Sequence, residues 1–247
     1  MPAILALGLA TALGPEQPTY AQSPVSGAKR IEHQTALPQR DGALLPRLTG
    51  YRAPTIQQKV NLHLADLEAS LACDTVEPPG ESHSYESQVK VTYAANDVLS
   101  ISVHSDYYCG GPHPENDENN SVTFDLETGL PVSFDQLFAN YGRDAEAIVR
   151  ELFPERIARA ERLAAAGGEH KEDCDDPFIF SVLHLVASGF SYAISEEGLL
   201  VQPDFPFVMR ACAEEVVVPF KRVHRFAAPG GILARVTAAE ASRSTSE

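Results

Sequence analysis

Residues 88–105, QVKVTYAANDVLSISVHS, carry the clearest structural signal in the chain. Polar and apolar residues alternate over residues 88–93 and again over residues 99–105, as they do in strands with one buried face. Asn96 and Asp97 stand between the two runs, and both residue types tolerate the left-handed backbone of a two-residue turn. The stretch therefore predicts an antiparallel hairpin.

A helix is predicted before this hairpin and a longer helical region after it. Upstream, apolar residues recur at three- and four-residue steps from Pro54 until the pattern ends near Cys73. Downstream, residues 121–126 predict a third strand, and residues 133–136, SFDQ, form a capping box that opens a short helix. Residues 144–166 have a helical pattern that Pro154 interrupts and that Gly167 and Gly168 end.

The last third of the chain returns to strand patterns. Residues 178–186 are a largely apolar run, residues 190–194 and 199–202 flank a turn, and residues 215–218 predict a final strand. Residues 237–247 are small or charged, and we expect a disordered tail there. Because strands and helices are mixed without βαβ alternation, the sequence predicts a single α+β domain with a mainly antiparallel sheet packed with helices.

Composition excludes several classes of protein. The chain has 247 residues, with 34 Asp and Glu against 19 Lys and Arg, and so a formal net charge of −15. Its 44% hydrophobic content is close to the globular average, which excludes wholesale disorder. Nucleic acids and anionic membrane surfaces repel so acidic a chain, so we expect neither as a partner.

The N-terminus predicts export. Residues 3–13, AILALGLATAL, are too few to cross a bilayer, which takes about 20 apolar residues, so we expect no stable membrane insertion. They suit the apolar segment of a signal peptide over residues 1–21, cleaved after Ala21, although no Lys or Arg precedes them. The alternative is a buried N-terminal helix. Residues 22–50 predict a flexible lead-in with one strand near residues 30–35, and the expected location is periplasmic or secreted.

The four cysteines agree with export. Cys73, Cys109, Cys174 and Cys212 are widely spaced and form no C-x-x-C motif, which argues against zinc ribbons and thioredoxin-like redox sites. Four cysteines allow three pairings. We favour Cys73–Cys109 and Cys174–Cys212, which close the smaller loops and would each add about 3–4 kcal/mol. The alternative is four free buried thiols in a cytosolic protein.

The sequence has no familiar catalytic signature. It contains no H-E-x-x-H, G-x-S-x-G, P-loop or G-x-G-x-x-G motif. His104 and His113 are the only close histidine pair near other polar groups, with Asp106, Asp117 and Glu118 alongside. These residue types suit several divalent metals, but we favour a solvated turn with a structural histidine. We therefore predict no catalytic residue, no metal site and no cofactor.

Residues 106–114, DYYCGGPHP, stand apart as a candidate recognition loop. Its two glycines permit close approach of the backbone, and prolines fix the chain on both sides of His113. Tyrosine and histidine bind partners with little loss of side-chain entropy. The predicted ligand-binding residues are Tyr107, Tyr108, Gly110, Gly111, His113 and Asn116. The alternative is that the tyrosines pack inward and the loop only turns the chain.

This region resembles a known domain family. Residues 107–138, YYCGGPHPENDENNSVTFDLETGLPVSFDQLF, resemble the central motif of PdaC/RsiV-like extracytoplasmic domains. The helix at residues 56–71, the hairpin at 192–199 and the strand at 216–220 are similar to flanking parts of that family. The resemblance covers roughly residues 28–226, and we assign the domain to residues 28–236. It does not transfer a disulfide pairing.

The resemblance implies a sensor or binding module, because the deacetylase chemistry of the family belongs to a separate domain. We expect a non-enzymatic module of the cell envelope that binds or inhibits a basic lysozyme-like protein, or binds a cell-wall glycan. Opposite charge accelerates such an encounter with a basic enzyme. One alternative is an enzyme or accessory domain acting on peptidoglycan or another polysaccharide through His104 and His113. Another is a purely structural envelope protein.

Overall fold

The computed structural model describes residues 32–34, 43–71, 84–108, 116–167 and 173–244. Six α-helices lie within them: α1 (Pro54–Ser70), α2 (Tyr141–Leu152), α3 (Pro154–Ala166), α4 (Val182–Ser188), α5 (Phe220–Val223) and α6 (Ile232–Ser244). The strands in these residues are β1 (Glu32–Gln34), β2 (Arg47–Thr49), β3 (Ser84–Ala95), β4 (Val98–Tyr108), β5 (Asn116–Asp125), β6 (Leu130–Pro131), β7 (Phe190–Ile194), β8 (Leu199–Pro203) and β9 (Val216–Val218). All the pairs of neighbouring strands are antiparallel, which confirms the predicted α+β class.

The predicted hairpin is β3 and β4, and it forms half of the largest sheet. Asn96 has a φ of 53° and Asp97 a φ of 56°, the left-handed pair that a two-residue turn requires. Both strands extend further from the turn than the alternation predicted. The register shifts between Val91 and Tyr93, so that β3 carries one extra residue there. Such a bulge changes the face on which the following side chains lie.

One face of this sheet, ordered β3-β4-β5-β6, packs against α1 and β2. The strand predicted near residues 30–35 is β1, whereas its partner β2 was not predicted. Asn61 on α1 holds β2 in place: its side-chain oxygen accepts from the Leu48 N–H at 2.8 Å, and its NH₂ donates to the Leu48 carbonyl at 3.0 Å. The buried residues of this core are Ala43, Leu45, Leu48, Val60, Leu64, Leu71, Tyr85, Leu99, Ile101, Val103, Phe124 and Leu126.

The opposite face is covered, near the hairpin turn, by a second sheet ordered β7-β8-β9. The turn predicted at residues 196–198 joins β7 to β8, as expected. Ser100 on β4 is fully buried between the sheets, where its hydroxyl accepts from the Ile194 N–H at 2.9 Å and lies 2.8 Å from the Thr123 hydroxyl. Those hydrogen bonds satisfy polar groups that would otherwise be costly to bury.

The helical middle of the chain follows the sequence prediction closely. Pro154 separates α2 from α3, and Gly167 ends α3 with a φ of 62°. Ser133 and Gln136 form the predicted capping box, with the Ser133 N–H donating to the Gln136 side chain at 2.9 Å. These features depend on neighbours within a few residues, which is why spacing alone predicted them.

Residues 178–186 do not form the strand that their apolar character predicted. They form a turn that leads into α4, whose first turn is capped by Ser181: its hydroxyl accepts from the His184 N–H at 3.3 Å. Phe180 and Leu185 are buried while Leu183 is 77% exposed. A short apolar run without alternation fits a buried helix as well as a strand, and here the serine cap decides.

The C-terminal residues are also ordered further than predicted. The sequence predicted a disordered tail from Thr237, but α6 continues to Ser244. Ile232, Leu233 and Val236 are buried against the larger core, so the apolar face of the first turns anchors the helix. The alanine-rich sequence that follows has high helix propensity and extends it. The prediction of a disordered tail was wrong because residues 237–244 continue a helix whose first turns are buried.

A disulfide joins Cys174 to Cys212, with 5.3 Å between their Cα atoms. This bridge confirms one of the two predicted pairings. It links the short 3-10 helices at Asp173–Asp175 and Phe207–Cys212. Cys73 and Cys109, the other predicted pair, lie outside the described residues.

Candidate functional site

The predicted recognition loop is in part a pair of strand ends. β4 continues through Tyr107 and Tyr108, and β5 begins at Asn116, so the placement of these residues in a loop was wrong. Tyr107 pairs with Tyr85 on β3 and with Asn116 on β5. Tyrosine favours strands, and the ladder on both sides extends β4 past the expected end. Of the other predicted binding residues, Gly110, Gly111 and His113 lie outside the described residues.

The two tyrosines of β4 lie on opposite faces of the sheet. The Tyr107 ring stacks on the Tyr85 ring, with 5.5 Å between centroids and 20° between planes. The Tyr85 hydroxyl in turn donates to the Ser105 hydroxyl at 3.1 Å, a buried hydrogen bond. Tyr107 therefore belongs to the face that packs on α1. Tyr108 is half-buried and lies on the other face.

That other face becomes polar where β3, β4 and β5 extend beyond the second sheet, and we call this region the polar face. The register places its residues in three rows across the strands: Lys90-Ser102-Ser121, Gln88-His104-Asn119 and Glu86-Asp106-Asp117. The last of these is named the acidic row. Glu86 and Asp106 are exposed. His104, Asp106 and Tyr108 thus share the polar face, whereas Tyr107 lies on the opposite face of the sheet.

His104 is the centre of the polar face. Its Nδ1 lies 2.8 Å from the side-chain oxygen of Asn119, and its Nε2 lies 3.6 Å from the Asp106 carboxylate. Because the Asn119 oxygen is an acceptor, Nδ1 carries the proton in this arrangement. Protonation of Nε2 would then add a charge-assisted contact to Asp106. The hydrogen bond to Asn119 holds the imidazole, which faces the solvent-exposed carboxylate of Asp106.

A chain of side-chain amides continues from His104 to the second sheet. The Asn119 NH₂ donates to the side-chain oxygen of Gln202 on β8, and the Gln202 NH₂ donates to the Ala213 carbonyl. Ser191 on β7 also donates to the Asn119 carbonyl at 3.3 Å. Two amides, each donating and accepting, thereby link the polar face of the first sheet to the rim of the second.

Glu215 lies at the edge of this region, just before β9. Desolvation raises the pKa of its carboxyl above the usual value, although the residue as a whole is exposed. The charges of Lys90 and His104 oppose that rise in pKa. Glu215, which precedes β9, is thus a second carboxyl in the electrostatic field of His104.

The histidine–carboxylate arrangement does not amount to a metal centre in the part of the chain that the structure describes. No three His, Cys, Asp or Glu side chains there are grouped so as to hold an ion. His113, the second histidine of the predicted pair, lies outside that part. Asp117 and Glu118 are placed only by their backbone positions on β5. Likewise, no helix in the described ranges is long and apolar enough to cross a membrane.

The sequence pattern predicted His104 and Asp106 as candidate site residues, but not Asn119, Gln202 or Glu215. Asn119 was within reach, since extending the third strand to residue 116 would have placed it opposite His104. Gln202 and Glu215 come from the second sheet, far along the chain. No local pattern marks them as neighbours of His104.

Comparisons with known proteins show structural similarity and give no information about function. No family model matches the chain, and no curated protein matches it. Its structure is similar to that of a DUF3298-family protein from Bacteroides fragilis, with a TM-score of 0.53, 12% sequence identity, and coverage of 85% of this chain and 100% of that one. A DUF3298-family protein from Pseudomonas aeruginosa gives a TM-score of 0.46 at 11% identity, covering 82% of this chain and 96% of that one. At 12% identity, the Bacteroides likeness shows a shared fold only.

Proposed function

We propose that this chain is an exported, non-enzymatic binding module of the cell envelope, and that its ligand is a basic, lysozyme-like protein. The observation that carries the proposal is the acidic row. In the backbone register, Asp106 on β4 lies directly between Glu86 on β3 and Asp117 on β5. Like charges in directly opposite positions destabilise a sheet. A ligand that presents Lys or Arg side chains to the row would relieve that repulsion.

The surroundings of the acidic row suit recognition. Asp106 has 61% of its side chain exposed, so a ligand can reach it. Tyr108, on the same face, offers an aromatic contact beside the carboxylates. The amide chain through Asn119 and Gln202 fixes the neighbouring strands, so little order has to be gained on binding. The net charge of −15 adds long-range attraction for a basic partner.

Export is the second part of the proposal. The Cys174–Cys212 disulfide supports it, because such bridges persist in oxidising compartments. The apolar residues 3–13 agree with a signal peptide. A periplasmic or secreted location is where a lysozyme-like ligand would be met.

The test is titration calorimetry of the full chain with a c-type lysozyme. The double variant Glu86→Gln/Asp106→Asn removes two charges from the acidic row and should weaken binding roughly tenfold, because facing charges at an interface are lost. The matched control, Glu146→Gln/Glu155→Gln, removes two exposed charges from α2 and α3 instead. It should change the affinity by less than about twofold.

Salt provides a second readout. Binding of the unaltered chain should weaken strongly between about 20 and 500 mM NaCl, since the Debye length falls to a few ångströms. Equal losses in the two double variants would mean that only net charge matters and would rule out the acidic row. No binding by the unaltered chain at low salt would rule out this class of ligand. Turnover of cell-wall glycan that a His104→Ala variant loses would favour the enzymatic alternative instead.

A further inference from the structure

β3 is a long strand at the end of its sheet. It runs for 12 residues and pairs with β4 on one side. Within the described ranges, no strand pairs with its other side. An uncovered edge presents a row of backbone N–H and C=O groups that can pair with another chain.

The register shows which backbone groups face outward. A two-residue turn is flanked by a hydrogen-bonded pair, here Ala95 and Val98. The extra residue at the bulge reverses the alternation beyond it. From Val91 towards the start of β3, the odd-numbered residues therefore direct their N–H and C=O groups away from β4. These outward-facing positions are Tyr85, Ser87, Val89 and Val91.

The even-numbered side chains on the same edge carry opposite charges. Glu86 and Lys90 are both exposed and lie on the same face, with Gln88 midway between them. Two copies of β3 that pair antiparallel about Gln88 place Glu86 of one copy directly opposite Lys90 of the other, and the reverse. Centring the pairing one residue away, on Ser87 or Val89, breaks both matches. The edge is thus self-complementary in one register.

The direction of the backbone N–H and C=O groups favours the same register as the charges do. With Gln88 at the two-fold axis, Ser87 of one copy faces Val89 of the other, and both direct backbone groups outward. Glu86 and Lys90 then fall in a non-hydrogen-bonded pair, in which side chains approach most closely. Val89 and Val91 are partly buried against the core on the α1 side, and a second strand would cover more of them. Lys90 also lies in the field of Glu215 of its own chain.

We propose that this edge is an interface between two copies of the chain, formed by antiparallel β3–β3 pairing about Gln88. The two four-stranded sheets join into one continuous eight-stranded sheet with closed isologous symmetry. Glu86 of each copy is matched by Lys90 of the other. Asp106 stays exposed on the polar face. Glu86 is common to this interface and to the acidic row, so the two proposals share that one residue.

The test is a charge-swap experiment on the full chain without any ligand. Sedimentation equilibrium from micromolar to near-millimolar concentration should show a monomer–dimer equilibrium for the unaltered chain. Glu86→Lys alone, or Lys90→Glu alone, places like charges opposite each other at two symmetric positions. Each should weaken the dimer roughly tenfold or more. The double variant Glu86→Lys/Lys90→Glu should restore it.

Mixing provides the control for folding. The two single variants carry complementary edges, so an equimolar mixture should form a heterodimer although neither dimerises well alone. An unaltered chain that stays monomeric overturns the proposal, even if its edge binds extended peptides of other proteins. A dimer that both single variants retain, or a mixture that stays monomeric, also overturns it. Because no lysozyme is present, these outcomes are independent of the proposed ligand.

Discussion

Gly198 shows how one backbone position can constrain a connection between strands. It lies in the turn between β7 and β8 with a φ of 154°, a conformation that side chains rarely adopt. A Cβ atom there would overlap the carbonyl oxygen of Val218 on β9. Glycine is therefore required twice, for the backbone angle and for the close approach of a third strand.

Replacement of Gly198 by alanine should destabilise the fold by about 2–4 kcal/mol, through backbone strain and the clash with β9. The matched control is Gly142→Ala on α2, where a Cβ atom meets nothing within 4 Å. Its expected effect ranges from neutral to a gain of about 1 kcal/mol. Urea denaturation of both variants measures the difference. Equal midpoints for the two variants would contradict this account of the turn.

Part of the site could be predicted from the residues of β4. His104 and Asp106 were identified because they are close along one strand, two residues apart. Gln202 was not, because its hydrogen bond to Asn119 joins residues 83 apart in sequence. Spacing along the chain carries no information about such a pair.

Among the elements, α6 shows how packing overrides composition. Its first turns bury Leu233 completely, and Arg235 on the same helix bonds to Asp125 at 2.7 Å and to Glu127 at 2.8 Å. Both carboxylates lie at the turn that follows β5. The helix is thereby fixed to the larger core and to the first sheet.

Leu233→Ala should lower the free energy of unfolding by about 2–4 kcal/mol, because it opens a cavity in a fully buried site. Glu240→Ala, an exposed change on the same helix, should stay within about 0.5 kcal/mol of the unaltered chain. Thermal unfolding followed by circular dichroism measures both. A Leu233→Ala variant as stable as the Glu240→Ala variant would mean that α6 is dispensable, as a disordered tail would be.

Local sequence patterns predicted some of the other elements correctly and one of them wrongly. The hairpin, the capping box at Ser133 and the break at Pro154 were correct, because each depends on a turn, a cap or an imino acid within a few residues. The helix α4 was mistaken for a strand, because an apolar run of that length fits either structure. Only the neighbours in space separate the two.

Two tyrosines, Tyr51 and Tyr192, make the stability of the whole molecule depend on the protonation of their hydroxyl groups. The Tyr51 hydroxyl donates to Asp97 at 2.7 Å, and burial with that hydrogen bond raises its pKa from 10.0 to about 12. Tyr192, at the junction of the two sheets, donates to the Val132 carbonyl at 2.6 Å, and burial raises its pKa further. In both cases the folded state favours the neutral phenol.

Below about pH 10 the two phenols keep their protons in both the folded and the unfolded chain, so they add no pH dependence to the stability. Between about pH 10 and 12 the unfolded chain loses protons that the folded chain keeps, so stability falls as pH rises. A Tyr51→Phe variant cannot ionise at that position, and its stability should fall less steeply. Urea denaturation at several pH values measures both slopes. Parallel curves for the two proteins would show that Tyr51 is not coupled to folding.

Residue patterns along the chain predicted the antiparallel hairpin at residues 88–105, the split helix and the α+β class. The Cys174–Cys212 bridge was the favoured one of several pairings that they allowed. Polar–apolar alternation, helix caps and turns depend on residues a few positions apart, so the sequence alone reveals them. The tertiary structure alone decided that the ends of β4 and β5 form a polar face, that His104 reaches the second sheet through Asn119, and that α6 is ordered. Those features depend on the register between strands and on burial between distant segments, where packing chooses among arrangements that local sequence permits equally.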